Sequence, residues 1–194
     1  GDEGGLLVSV DLNGVDPARH AVGAPGRVDV LGPALPLVDV LHANAAEARL
    51  LTGEGPQEEG ESQGEYLRRL AAPLLAQGLG CLALTLGAEG AYLAVNADLR
   101  GRSATFLRQG ERWRGQDSFV PAYPVSEGSS INANGAGDAY IGGLVAAALW
   151  QRPVSLEEAN RFALLTALQR VDNSKRDSPL KTLASDLMKI AQQH

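Results

Sequence analysis

The run Ile131-Asn132-Ala133-Asn134-Gly135-Ala136-Gly137-Asp138-Ala139-Tyr140 sets two glycines and an alanine directly before an acid. An apolar helical pattern (Ile141, Leu144, Val145, Ala148, Leu149) begins at once behind it. Residues without bulk let a backbone approach a ligand closely. The start of a helix presents unpaired N–H groups and a partial positive charge, which suit an anion. Asp138, in the first turn, favours the helix electrostatically and would stand beside any phosphate held there, in reach of a hydroxyl proton. The pattern describes phosphoryl transfer to an alcohol. A plain turn before a capped helix would use the same residues, and Gly-x-Gly alone does not separate the two readings.

Outward from this stretch, apolar runs predict strands over residues 6–12, 38–42 and 81–86. Residues 87–90 make a turn and 91–95 a strand returning from it. Residues 104–107 and 118–120 predict short strands, with 108–116, Trp113 included, as the loop between them. Residues 28–37 contain two prolines and predict a short broken helix or loop, after a loop punctuated by Asp16-Pro17 and Ala24-Pro25-Gly26. Helices are expected over 45–51 behind the N-cap Asn44, over 65–77 with a kink at Pro73, over 135–150, over 155–171 behind a Ser155/Glu158 capping box, and over 179–192. Strands alternating with helices imply an open, largely parallel α/β sheet flanked by helices in three layers. Such sheets bind ligands beyond the carboxyl ends of their strands. Asp11, Asn13, Asn44 and Thr85 fall at such ends, and Glu47 lies in the first helical turn after one.

Composition narrows the function. The chain has 194 residues with 44% hydrophobic content, enough for one domain (1–194) with a substantial core. Its net charge is −6 and no basic cluster occurs, which argues against nucleic acid and anionic membranes as partners. No apolar run reaches the length of a membrane span, and no secretory or transit peptide is visible. The single cysteine, Cys81, lies in an apolar run. It reads as a small core residue and fits a reducing intracellular compartment, cytoplasmic or within an organelle. The charged run 54–65 reads as a solvated loop. His20, His42 and His194 show no metal-ligand spacing. His42 reads as a strand-end packing residue, and Trp113 and Trp150 as packing or loop aromatics.

Asn134-Gly135-Ala136-Gly137-Asp138, followed by Ala-Tyr-Ile-Gly-Gly143, resembles the C-terminal signature of the ribokinase-like (pfkB) family of sugar and nucleoside kinases. Two further segments are similar to family motifs and stand in the same order: Asn44-Ala45-Ala46-Glu47 with Leu50-Leu51-Thr52-Gly53 behind it, and Leu84-Thr85-Leu86-Gly87-Ala88-Glu89-Gly90-Ala91. Val8-Ser9-Val10-Asp11-Leu12-Asn13 is similar to the family's Asp-x-Asn strand end. The resemblance covers roughly residues 6–172 and implies a ribokinase-like fold. It corresponds to the ATP-binding, catalytic C-terminal portion of such a kinase, and the usual N-terminal half and β lid have no counterpart in these residues.

The resemblance also implies roles. Asp138 would be the general base on an acceptor hydroxyl, and the N–H groups of Gly135, Ala136 and Gly137 an anion hole for the γ-phosphate of ATP. A side chain at Gly135 or Gly137 would crowd that hole. Asn44 and Glu47, spaced i, i+3, would attend Mg²⁺ and the phosphates, mainly through water, although an N-cap with a capping-box glutamate needs the same pair. Thr85 and Gly87 would be nucleotide-side contacts, where an ordinary strand and glycine turn would look the same. The acceptor would be a small sugar or nucleoside.

Four departures from the family pattern qualify this. Asn132-Ala133 replaces Asp-Thr, whose aspartate helps bind an activating monovalent cation in many relatives, so activation by potassium is not expected. Phe162-Ala163-Leu164-Leu165-Thr166 is bulkier than the small residues usual near adenine. A Gly-Ala turn is replaced by Asp172-Asn173-Ser174-Lys175-Arg176-Asp177. The fourth is the absent N-terminal half. Beside these, Val15 stands two residues after Asn13 where an arginine is frequent, and no catalytic role is expected of Asp11 or Asn13. These departures keep a second expectation open: a non-catalytic relative serving as scaffold, interaction subunit or nucleotide sensor. An isolated half would expose a sheet edge that a second copy or another partner must cover.

Overall fold

Alternation along the strands decides the layering. In β2 (Val40–Asn44) Val40 packs to one side of the sheet and Leu41 and Ala43 to the other. In β3 (Cys81–Thr85) Cys81 and Ala83 oppose Leu82 and Leu84. In β4 (Gly90–Val95) Ala91, Leu93 and Val95 oppose Tyr92 and Ala94. With a side-chain period of two, strands apolar at every position bury both faces and need helices on each. The computed structural model describes residues 5–14, 31–125, 127–128 and 130–172. Among them, α1 (Ala45–Thr52) and α2 (Gln63–Ala76) cover one face through Leu51, Leu67, Leu70 and Leu74. The other face is covered by α3 (Ala104–Trp113), α4 (Ala136–Ala148) and α5 (Leu156–Val171) through Phe106, Trp113, Tyr140, Leu144 and Phe162.

The sheet runs β1-β2-β3-β4-β5, where β1 is Ser9–Asp11 and β5 is Asp117–Pro121. It is open, as expected, and mixed. The β1–β2 and β2–β3 pairings are parallel, and β3–β4 and β4–β5 antiparallel. The register sets Asp11 beside His42 and Asn44 beside Thr85 at the carboxyl ends of the three parallel strands.

One expectation is overturned. Residues 104–107 are not a strand, nor 108–116 a loop: residues 104–113 form α3. Ser103 caps it, its hydroxyl accepting the Phe106 N–H at 3.1 Å. Phe106, Gln109, Gly110 and Trp113 are buried at i, i+3, i+4, i+7, the helical period that a four-residue window misreads as strand. Trp113 is thereby a core residue, its Nε1–H donating to Val154 O at 2.9 Å. The charged run 54–65 is also more anchored than a solvated loop. Arg69 grips Glu54 at 2.8 Å and Glu61 at 2.8 Å, while Ser62 and Glu65 form the capping box of α2. That helix begins at Gln63 and continues past Pro73 to Ala76. The expected helix 179–192, the prolines of the early loop, Val15, His20 and His194 lie outside the described residues.

Asn160, wholly buried on α5, ties the helices to the sheet. Its Oδ1 accepts the Tyr140 hydroxyl at 2.8 Å, and its Nδ2 donates to Ala91 O and Ser118 O, each at 3.1 Å.

Candidate functional site

The start of α4 is built around Gly135, whose φ of 75° is left-handed and favours glycine. Just upstream, Asn132 Oδ1 accepts the Asn134 N–H at 3.0 Å, folding the chain back on itself before the helix. The Asn132 N–H donates to Val171 O at 3.0 Å, and Ile131 bridges Asp172, so the loop is stitched to the end of α5. A Cβ on Gly137 would lie 2.9 Å from Cε1 of His42, inside contact distance. The loop therefore rests directly on β2, and glycine at 137 is required by the protein beneath it.

His42 is the residue whose place the sequence did not announce. It is 4% exposed. Its Nδ1 lies 2.5 Å from Asp11 Oδ1, its Nε2 3.2 Å from Thr85 Oγ1, and its ring 5.8 Å from that of Tyr140. Reading it as a packing residue was too modest, since it links the ends of β1, β2 and β3 under the anion loop. The available signal was the strand period, which sets residues 42 and 44 on one face. Asp11 is turned onto His42.

Asn44 and Glu47 form a complete capping box. Asn44 Oδ1 accepts the Glu47 N–H at 2.9 Å, and Glu47 Oε2 accepts the Asn44 N–H at 2.9 Å. Glu47 Oε1 accepts the Gly14 N–H at 3.0 Å, and the residue is 8% exposed. Both carboxylate oxygens thus already hold backbone donors. Each keeps a lone pair for water, so a cation approaching this pair would meet it through hydration, consistent with the habits of Mg²⁺.

These elements enclose a cleft of about 880 Å³. Asn44, Thr85 and Gly87 at the strand ends line it together with Ala136 and Gly137 at the start of α4. Its α5 side is apolar, with Leu164, Leu168 and Val171 in the wall beside Ile131. Of the residues singled out from sequence, Asn44, Thr85, Gly87, Ala136 and Gly137 are brought together here. Gly135, Glu47 and Asp138 stand beside the cleft and not in its wall; Asp138 is exposed in the first turn of α4. The bulk expected to crowd the apolar side mostly goes elsewhere. Phe162 packs against Trp150 at 4.9 Å between ring centroids, and the Thr166 hydroxyl donates back toward Ala139 O at 2.7 Å. Leu164 alone of that run lines the cleft.

The arrangement suits a ligand with both polar and apolar parts. No helix among the described residues is long and apolar enough to cross a membrane.

No curated protein sequence matches the chain significantly. Solved structures match its fold. A protein of Clostridium perfringens assigned as a sugar kinase is 17% identical with a TM-score of 0.59, and the match covers 82% of this chain and 42% of that one. The Arabidopsis thaliana ribokinase complexed with ribose and ATP is 20% identical with a TM-score of 0.57, covering 86% and 41%. An E. coli protein assigned as a ribokinase II, in complex with ATP and Mg²⁺, is 20% identical with a TM-score of 0.52, covering 84% and 42%. The chain thus spans less than half the length of each. The family model for pfkB family carbohydrate kinases matches residues 13–183.

Proposed function

Because the chain belongs to the pfkB family of carbohydrate kinases, we propose that it carries the nucleotide-binding and catalytic side of an ATP-dependent kinase acting on a hydroxyl of a small sugar or nucleoside. The observation that carries this reading is the meeting of the α4 N-terminus with the ends of β2 and β3 in one cleft whose α5 side is apolar. ATP would fit there with its base against the apolar α5 side and its phosphates toward Thr85, Asn44 and the 135–137 backbone.

Asp138 is the proposed base. The acceptor oxygen attacks the γ-phosphorus as its proton passes to the Asp138 carboxylate. The new oxygen–phosphorus bond forms while the bond to the β-phosphate oxygen breaks, and ADP leaves with that electron pair. Since Asp138 stands outside the cleft wall, the acceptor would arrive from its solvent side. The N–H groups of Gly135 and Gly137 would hold the equatorial charge, whereas that of Ala136 is already donated to Ala133 O at 3.1 Å and would have to be shared. Asn44 and Glu47 would hold Mg²⁺ through water, where it neutralises phosphate oxygens.

Transfer of labelled γ-phosphate from MgATP to a panel of sugars and nucleosides tests this. An acceptor should be found, and Asp138→Asn should lower its kcat by 10² or more, the order of general-base contributions, with MgATP affinity kept. Labelled product formed equally by Asp138→Asn would remove the base from the reading.

A further inference from the structure

A partly buried cation sits behind the 132–137 loop. Arg170, in the last turn of α5, is held there by the stitching of Asn132 to Val171 and of Ile131 to Asp172. A Cβ on Gly135 would lie 3.1 Å from its Nε, 3.6 Å from one terminal nitrogen and 3.7 Å from Cζ. The guanidinium is therefore stacked against the N-cap of α4. A helix N-terminus is the positive end of the helix dipole, where a cation has the wrong sign. The other terminal nitrogen is buried with no hydrogen-bond partner, and Arg170 forms no ion pair among the described residues. Asp138 is the one acid in the first turn of α4, and it is exposed. Asn132, three residues before Gly135, organises the loop through a neutral amide.

Two positive ends set against each other normally mark a place where an anion completes the charge balance. We propose that Arg170 is the fixed positive charge behind the anion loop, adding through the loop to its hold on the terminal phosphate of a nucleotide. Arg170 is not in the cleft wall, so it acts through the loop: it raises the positive potential of the 135–137 N–H groups and backs Gly135 in its left-handed conformation. It is a positioning residue, and the inference rests on the nucleotide reading of the cleft. Low local dielectric behind the loop makes a charge that touches no ligand effective there.

The test is MgATP affinity of the full chain for wild type, Arg170→Lys, Arg170→Gln and Arg170→Ala, each with and without guanidinium ion at low millimolar concentration. Circular dichroism and thermal melts verify folding. Arg170→Ala is expected to bind roughly tenfold more weakly, in line with a partly buried charge at a helix terminus, and Arg170→Lys more tightly than Arg170→Gln. Added guanidinium should restore part of the affinity of Arg170→Ala and leave wild type unmoved, a response that a packing role would not give. If Arg170→Ala does not fold, the Lys-over-Gln order decides. Wild-type affinity in folded Arg170→Ala, or equal affinities of the Lys and Gln variants, overturns the role of Arg170 alone. Failure of wild type to bind MgATP overturns the nucleotide reading and this inference with it.

Discussion

A methyl group on Gly137 would press on the His42 imidazole, which cannot retreat because Asp11 and Thr85 hold both ring nitrogens. Gly137→Ala should therefore displace the loop and weaken MgATP binding by an order of magnitude or more. In a His42→Ala background the same substitution should cost less, because the space is free; the difference is a coupling measurable in a double-mutant cycle. Fully additive effects would separate the loop from the histidine. Cys81 supplies a second expectation at this scale. Burial pushes its thiol up to about 12, so the reactive thiolate is scarce at neutral pH. Iodoacetamide should label it only as fast as the protein unfolds, and rapid labelling of the native chain would contradict its place in the core. Among single residues, sequence spacing revealed those whose chemistry and cap geometry coincide, such as Asn44 and Glu47. It could not reveal Arg170, whose importance comes from a neighbour 35 positions upstream, Gly135.

At the scale of elements, α4 and α5 pack so closely that a Cβ on Gly143 would lie 2.3 Å from Thr166 Oγ1 and 2.9 Å from the Ala163 backbone. This close approach couples the start of α4 to the α5 side of the cleft, and Asn160 ties both helices to β4 and β5. Asn160→Ala would strand three buried partners and should cost roughly 3 kcal/mol in chemical denaturation. A loss within about 0.5 kcal/mol would show that water replaces the side chain. The clamp on α2 predicts a pH dependence. The Arg69 hydrogen bond, helped by the Glu58 N–H, holds the Glu61 carboxyl down from 4.5 to about 2. A depressed acid contributes stability that is complete above 4.5 and is lost as pH falls through about 2. Arg69→Met should therefore flatten the fall of melting temperature across that window, and an unchanged profile would count against the clamp. Elements also show where pattern reading stops. The strands β2, β3 and β4 were plain as apolar runs because both of their faces are buried. The helix α3 was missed because its burial repeat runs over the eight residues from Phe106 to Trp113, while its first four, Ala-Thr-Phe-Leu, look β-like alone.

For the whole molecule, layering and cleft position follow from one rule: a sheet apolar on both faces must be covered twice, and its strand ends then remain as the place for ligands. That much was legible in the chain. The mixed character of the sheet follows from the short Gly87–Glu89 turn, which returns β4 antiparallel to β3. The volume of the cleft was not legible, because it depends on which large residues of α5 turn into the core. Beyond β1 no further strand pairs among the described residues, and Leu6 and Val8 are 87% and 40% exposed. The proposed nucleotide cleft is lined from the ends of β2 and β3 and from α4 and α5. Its central claim is tested most directly by calorimetric titration of MgATP into the chain, with Gly137→Val beside it. Wild type should bind, and Gly137→Val, folded by circular dichroism, should not. No heat from the folded wild type at millimolar MgATP would contradict the nucleotide cleft.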